Sequence, residues 1–250
     1  MFSNHQYFII RKGDFATDGN KKIYYSLFSI ALGLEEYINR NSVDCFTIMI
    51  GSTFIWTIIE FFLHITKTRI IKPMYVTDIN KEKYLLPKPL SIFLQGFQEG
   101  GVVTTFGLYF GDRLFQFNYC VALHLFILYI VINMNAKQNV SKIASKRKIN
   151  TPGSLCGIGT IALYNMMTLY QHPEHFQRQL KMVFVMTYVC SIWTYIAYQK
   201  GFRNVEARIQ TPTNLIIRSN DPLDAFLILG YDVLFEISIA YLTFYNWFIL

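Results

Sequence analysis

The sequence predicts an all-α fold, a polytopic transmembrane bundle of six or seven membrane helices, and three observations carry that expectation. The 250-residue chain is 52% hydrophobic and 17% aromatic, only 16% charged, and has a mean hydropathy of +0.27, a balance outside that of ordinary soluble domains. Its apolar residues gather into runs at 45–65, 90–110, 117–134, 155–170, 182–199 and 224–250. Several of these approach the ~20 residues an α-helix needs to cross ~30 Å of hydrocarbon. Between the runs lie basic segments, at 1–22, 67–88, 135–152 and 199–222, which hold 19 of the 23 Lys and Arg.

The whole chain, 1–250, reads as one membrane domain. Segment 1–22 is polar, which predicts a cytoplasmic N-terminal stretch with no cleavable signal peptide ahead of the bundle at 23–250. Segment 23–38 is short and ends near Glu35 and Glu36, so by itself it fits either a crossing helix or an interfacial one. Charge placement favours crossing. All 19 cations then share one side and leave Arg40, Arg113, Arg178 and Lys181 on the other, whereas a non-crossing segment weakens the split to 15 against 8. Seven helices follow, with the N-terminus cytoplasmic and the C-terminus outside. Pro152 and Pro222 stand where helices begin, positions at which a missing N–H is tolerated.

The helix at 90–110 carries Gly96, Gly100, Gly107 and Gly111 at spacings that share one face, which predicts close backbone packing against a neighbour. Gly153, Gly157 and Gly159 repeat the pattern less regularly. The four cysteines, Cys45, Cys120, Cys156 and Cys190, each stand alone in an apolar run and read as buried free thiols. The net charge of +7 belongs to the basic segments and points to membrane lipids, with membrane protein partners also open. Nucleic acid is not expected as a partner, since no basic stripe is interleaved with exposed aromatics.

Function would show at the polar residues within apolar runs, because an ionisable group in hydrocarbon costs several kcal/mol unless it finds a partner or water. Glu60 and His64 are one turn apart and share a face, as do Asp232 and Glu236, while Gln95, Gln98 and Glu99 cluster near the start of the 90–110 helix. With the seven-helix topology, Glu60, His64, Gln95, Gln98, Glu99 and Asp232 lie within roughly 15 Å of the cytoplasmic boundary, and Glu236 lies deeper. Three helices thus offer polar groups at similar depth, which predicts a cytoplasm-facing polar pocket. His124 reads as a hydrogen-bonded core histidine, and His172 and His175, in the turn QHPEH, as solvated rather than as a metal pair.

Two stretches resemble a known family. The run 56–64 (WTIIEFFLH) is similar to the first histidine-bearing helix of the fatty acid hydroxylase and sterol desaturase superfamily, with a tryptophan, an acidic residue and a histidine in similar order. The run 94–99 (LQGFQE) falls where that superfamily has histidine-glycine-x-histidine-histidine, so Gln95, Gln98 and Glu99 take histidine places. The superfamily holds two metal ions with eight or more histidines, whereas this chain has five. The resemblance therefore implies descent from a lipid-modifying enzyme whose di-metal site has been lost. Phosphate-binding loops, G-x-S-x-G and HExxH are absent, and 224–250 has no lysine for a retinal Schiff base. Three functions stay open: a lipid-handling membrane protein, a cation or proton transporter or channel, and a structural subunit of a membrane complex. Cofactor, metal, catalytic residues and membrane identity are not readable from the chain.

Overall fold

In the computed structural model the described residues are 5–13, 17–135, 143–149, 152–210 and 215–250. About 70% of the described residues are helical, and these helices form seven rods. They are α1 (Gly19–Arg40), α2 (Asp44–Ile65), α3 (Lys88–Gly96) continuing through a π turn into α4 (Val103–Gly111), α5 (Phe117–Asn135), α6 (Pro152–Gln171), α7 (Phe176–Gln199), and α8 (Pro222–Tyr231) continuing through a second π turn into α9 (Ala240–Phe248). Four stretches are long and apolar enough to cross a membrane: Asp44–Ile65, Phe117–Met134, Pro173–Gln199 and Pro222–Phe248. Polar residues mark off one of the others, since α1 carries Lys21, Lys22, Glu35 and Glu36. The rods leave large apolar side chains outside, among them Phe54, Phe61, Leu125, Met167, Phe184 and Phe226. An unbroken apolar exterior of this kind suits lipid rather than water.

The helical expectation extends into a part the sequence reading did not foresee. All four basic segments, expected as loops, contribute strands to one five-stranded antiparallel sheet of order β2-β5-β1-β6-β7, built from β1 (His5–Lys12), β2 (Arg69–Ile71), β5 (Ile143–Ile149), β6 (Arg203–Gln210) and β7 (Leu215–Ser219). A small hairpin, β3 (Tyr75–Thr77) and β4 (Lys83–Leu85), completes segment 67–88. The physical cause is legible in β1 and β6. Residues 203–209 (RNVEARI) interleave apolar residues with polar ones, a pattern that fits a pleated surface with two different faces, and residues 7–10 (YFII) are a short aromatic and β-branched run that favours a strand. From β1 to β2, from β2 to β5 and from β5 to β6 the chain leaves the sheet and returns through a helical hairpin, α1/α2, α3–α4/α5 and α6/α7 respectively. An even number of rods between strands brings every basic segment back to the same end.

Local chemistry fixes the helix ends. Asp18 accepts the Lys21 N–H at the start of α1, and Asn41 closes that helix in a left-handed conformation with φ 52°. Val43 cannot cap α2 with its side chain, so Glu36 of α1 does it from across the turn, accepting the Cys45 N–H at 3.1 Å. Asp221 accepts the N–H groups of Leu223 and Asp224, with Pro222 in the first turn of α8. At the end of the rods away from the sheet, Arg178 of α7 grips both carboxylate oxygens of Asp112, at 2.9 and 2.7 Å, and reaches Asp44 of α2 at 2.7 Å. Nearby, Arg113 pairs with Glu35 at 3.1 Å and lies over the Tyr109 ring.

The two π turns explain how the rods pack. The first, Phe97–Val102, inserts a residue and so adds about 100° of rotation. Gly96 and Gly100 accordingly press on α2, where an added Cβ would fall 2.7 Å from Thr57 Cα and 2.5 Å from the Ser52 carbonyl oxygen. Gly107 and Gly111 press instead on α7, at Met186 and Met182. What reads as one stripe in sequence is therefore split between two neighbours. The second π turn, Asp232–Ile239, frees carbonyls that a regular helix would bond, and Asn165 of α6 donates to the Ile239 oxygen at 2.8 Å while accepting from Thr243 and Asn246. Asn165 is thus joined to α9 rather than isolated. Gly153, Gly157 and Gly159 do not repeat the stripe. An added Cβ at each would meet nothing within 4 Å, because that part of α6 has no neighbour on the glycine side among the described residues. Cys156 is exposed on the same helix rather than buried.

Gly100→Leu should therefore abolish folded, monodisperse yield in detergent, while Val103→Leu, beside open space within the bundle, should retain most of it. Size-exclusion chromatography of the two variants checks this, and equal yields would contradict the packing.

Candidate functional site

The site begins with the register of the sheet. Arg69 of β2 lies opposite Arg147 of β5, Arg147 lies opposite Ile9 of β1, and Arg11 of β1 lies opposite Arg203 of β6. Residues directly opposite share a face, and Ile9 and Arg11, two apart, share it too. Four strands thus aim four arginines at the helices, in two adjacent rows. Beyond them on this face Ile9, Ile149 and Val205 pack on Ala225 and Leu229 of α8.

Arginines directly opposite one another repel, and the helices supply what offsets this. Glu60 of α2 pairs with Arg69, which also bonds Glu99 in the first π turn at 2.7 Å. Glu99 in turn pairs with Arg11, accepts from Gln95, and accepts the Trp56 indole N–H at 3.2 Å. Asp232, the first residue of the second π turn, pairs with Arg203 and with Arg147 at 3.3 Å, and Arg203 also donates to Thr194 Oγ1 at 2.9 Å. Lys22 of α1, only 5% exposed, donates to the side-chain oxygens of Gln95 at 2.8 Å and Gln98. π turns recur at functional sites because they re-aim side chains that a regular helix would point elsewhere. Here both of them present a carboxylate to the sheet.

Burial governs the charges. Burial alone would pull the Arg69 guanidinium down, but Glu60 and Glu99 reverse this and hold its pKa above the ordinary value. Arg203 goes the other way: burial lowers its pKa and Asp232 restores only part of the loss.

Under these groups, between sheet and rods, lies a cavity of about 210 Å³. Arg11, Lys22, Arg69, Arg147 and Arg203 line one end together with Gln95, Gln98, Glu99 and Asp232, and Tyr25, Phe106, Phe126, Ile130, Met186 and Val189 line the other. Its chemistry is that of an amphiphile site, with dense hydrogen-bond donors at one end and hydrocarbon at the other.

Of the residues singled out from sequence, the structure brings Gln95, Gln98, Glu99 and Asp232 to this cavity and Glu60 directly behind Arg69. His64 stays apart. It is in the last turn of α2, beyond the network, and its Nδ1 is buried without a hydrogen-bond partner among the described residues. The Glu236 side chain lies outside the described residues. His124 bonds the Cys120 oxygen at 2.7 Å and Tyr188 at 3.2 Å, while His175 bonds Tyr245. Sequence reasoning missed the five cations, because each sits in a segment whose charge reads as an orientation signal. The alternation that follows Arg203 was the available clue.

Among the described residues no group of three His, Cys, Asp or Glu could hold a metal ion. The two stretches that resemble the hydroxylase superfamily do touch, through Trp56 and Glu99. Gln95, Gln98 and Glu99, however, face Lys22, Arg11 and Arg69, and these cations occupy the acceptors a metal would need. The donor set does not fit the superfamily's metals. No protein-family model, no curated protein and no solved structure matches the chain.

Removing one partner of a buried ion pair costs about 3–5 kcal/mol, whereas a surface pair contributes about 0–1 kcal/mol. Arg203→Met, which takes from buried Asp232 the more buried of its two arginines and leaves it Arg147, should lower the apparent Tm far more than Arg208→Met, whose side chain pairs with Glu206 on the outer face of the sheet. Thermal unfolding in one detergent compares them, and similar shifts would mean that the inner pair is wet.

Proposed function

We propose that this chain is a multi-pass integral membrane protein whose seven rods all cross the bilayer, with the sheet on the cytoplasmic side and a lipid or other amphiphile held in the cavity beneath it. One observation carries the proposal: the cavity is cationic at the sheet end and aromatic and aliphatic at the other. Such a division suits a molecule with a polar head and an apolar body, and it suits nothing uniformly polar.

Topology is supported by charge. The 17 described cations of the four basic segments belong to the sheet end, and Arg40, Arg113, Arg178 and Lys181 belong to the opposite end. An apolar exterior on α1, with Tyr24, Leu27, Leu34 and Ile38 exposed, favours its crossing as a partner of α2. Descent from a lipid-modifying enzyme is part of the same proposal, resting on the Trp56–Glu60 and Gln95–Glu99 stretches. A cation or proton path is less well supported, because Glu60, Glu99 and Asp232 are each bound by arginine.

Native mass spectrometry of protein released gently from its membrane should show one bound amphiphile per chain. Val189→Trp, which fills the apolar end of the cavity, should lose that adduct while keeping the folded yield. A chain that carries no amphiphile in either form would overturn the proposal and favour a structural subunit.

A further inference from the structure

The described side chains at the cationic end of the cavity include more cations than carboxylates. Five cations, Arg11, Lys22, Arg69, Arg147 and Arg203, meet three carboxylates, Glu60, Glu99 and Asp232, which leaves an excess of two positive charges among the described residues. Buried charge without a counter-charge costs several kcal/mol per ion. The excess is localised. Each arginine rests on a carboxylate, whereas buried Lys22 meets, among the described residues, the amide oxygens of Gln95 and Gln98 and no carboxylate. Arg203 Nε is likewise buried with no hydrogen-bond partner among the described residues. Donors and charge are therefore both in surplus at one place, and they face open volume.

Charge count and geometry select the counter-ion. A carboxylate brings one negative charge, and a zwitterionic head group brings none in sum. A phosphomonoester brings about −1.5 to −2 at pH 7 and three strong acceptor oxygens, which suits planar guanidinium forks and an ammonium. The cavity of about 210 Å³ is smaller than the ~300–1,000 Å³ of ordinary ligand sites, enough for a head group and the first part of a chain but not for a whole lipid. A tail must pass outward. Where α1 meets α5 the wall consists of ring contacts, Tyr25 on Phe126 at 6.0 Å and Phe28 on Phe126 at 5.4 Å, and side chains can part where backbone cannot.

We propose that this end of the cavity binds the phosphomonoester head group of a membrane lipid, with Lys22, Arg11, Arg147 and Arg203 around the phosphate and the acyl chain running past Phe126 toward the bilayer. This rests on the amphiphile site proposed above and narrows its ligand to an anionic phosphate lipid. A soluble phosphate is the competing source of the same chemistry, and the aromatic and aliphatic end is what favours the lipid.

Calorimetric titration of the full-length chain in a neutral detergent, with three probes, tests it. Lysophosphatidate should bind saturably at one per chain, and monoacylglycerol of the same chain length and inorganic phosphate should each bind at least about tenfold more weakly. Lys22→Met should weaken lysophosphatidate about tenfold or more and leave monoacylglycerol unchanged, while Lys22→Arg should retain binding. If Lys22→Met does not fold, Arg147→Met, whose side chain is 20% exposed, carries the same expectation. Equal binding of lysophosphatidate and monoacylglycerol, insensitive to these variants, would overturn the phosphate assignment and leave the amphiphile site standing. Phosphate binding as tightly as the lipid would overturn the lipid source. Binding of none of the three would overturn both proposals.

Discussion

Like charges facing one another across a sheet are the constraint on which this structure turns. Arg69 opposes Arg147 and Arg11 opposes Arg203 on the inner face, an arrangement that would drive the strands apart in isolation. The sheet closes because α2 and the two π turns bring Glu60, Glu99 and Asp232 beneath those arginines. Buried ion pairs add little net stability, since desolvation consumes most of the Coulomb gain. What they supply here is position. A sheet shifted by one residue would turn its arginines outward and leave three carboxylates buried alone, so its seating on the rods is specified by the cost of any alternative.

The same constraint ties packing to function. Glu99 can reach Arg11 and Arg69 only because a π turn re-aims it, and that turn also divides Gly96 and Gly100 from Gly107 and Gly111, fastening one rod to α2 and α7 at once. Asp232 repeats the device, with Asn165 covering a carbonyl that the second π turn frees. Close packing at the glycines and charge pairing at the sheet are thus two consequences of the same local geometry. Between them is the space that becomes the cavity.

How much of this was legible in sequence follows from the length scale of each signal. Helices were legible because their apolar runs are long: the segment at 45–65 is Asp44–Ile65, and Pro152 and Pro222 do open helices. The depth argument drew Glu60, Gln95, Gln98, Glu99 and Asp232 to one region without any coordinates. Strands were not legible, because β2 has three residues and β1 and β6 eight each, within segments whose charge already had an explanation as orientation signals. Reading the charge of Arg11 and Arg203 as an orientation signal hid half of the site. His64 was misplaced for a different reason: being one turn from Glu60 puts it on the same face, but the partner strand supplies Arg69 at Glu60 alone.

The pairing of Glu60 with Arg69 tests the central constraint most directly, because Glu99 keeps Arg11, Gln95 and Trp56 when both are removed. Unfolding of Glu60→Leu, Arg69→Met and the double variant should be measured against the parent chain in one detergent. A coupled pair makes Arg69→Met, which leaves Glu60 buried without a counter-charge among the described residues, less stable than the double variant, whereas Glu60→Leu leaves Arg69 on Glu99 and costs less. Losses that simply add in the double variant would contradict the account, and the sheet would then be held on the rods by something other than its inward arginines.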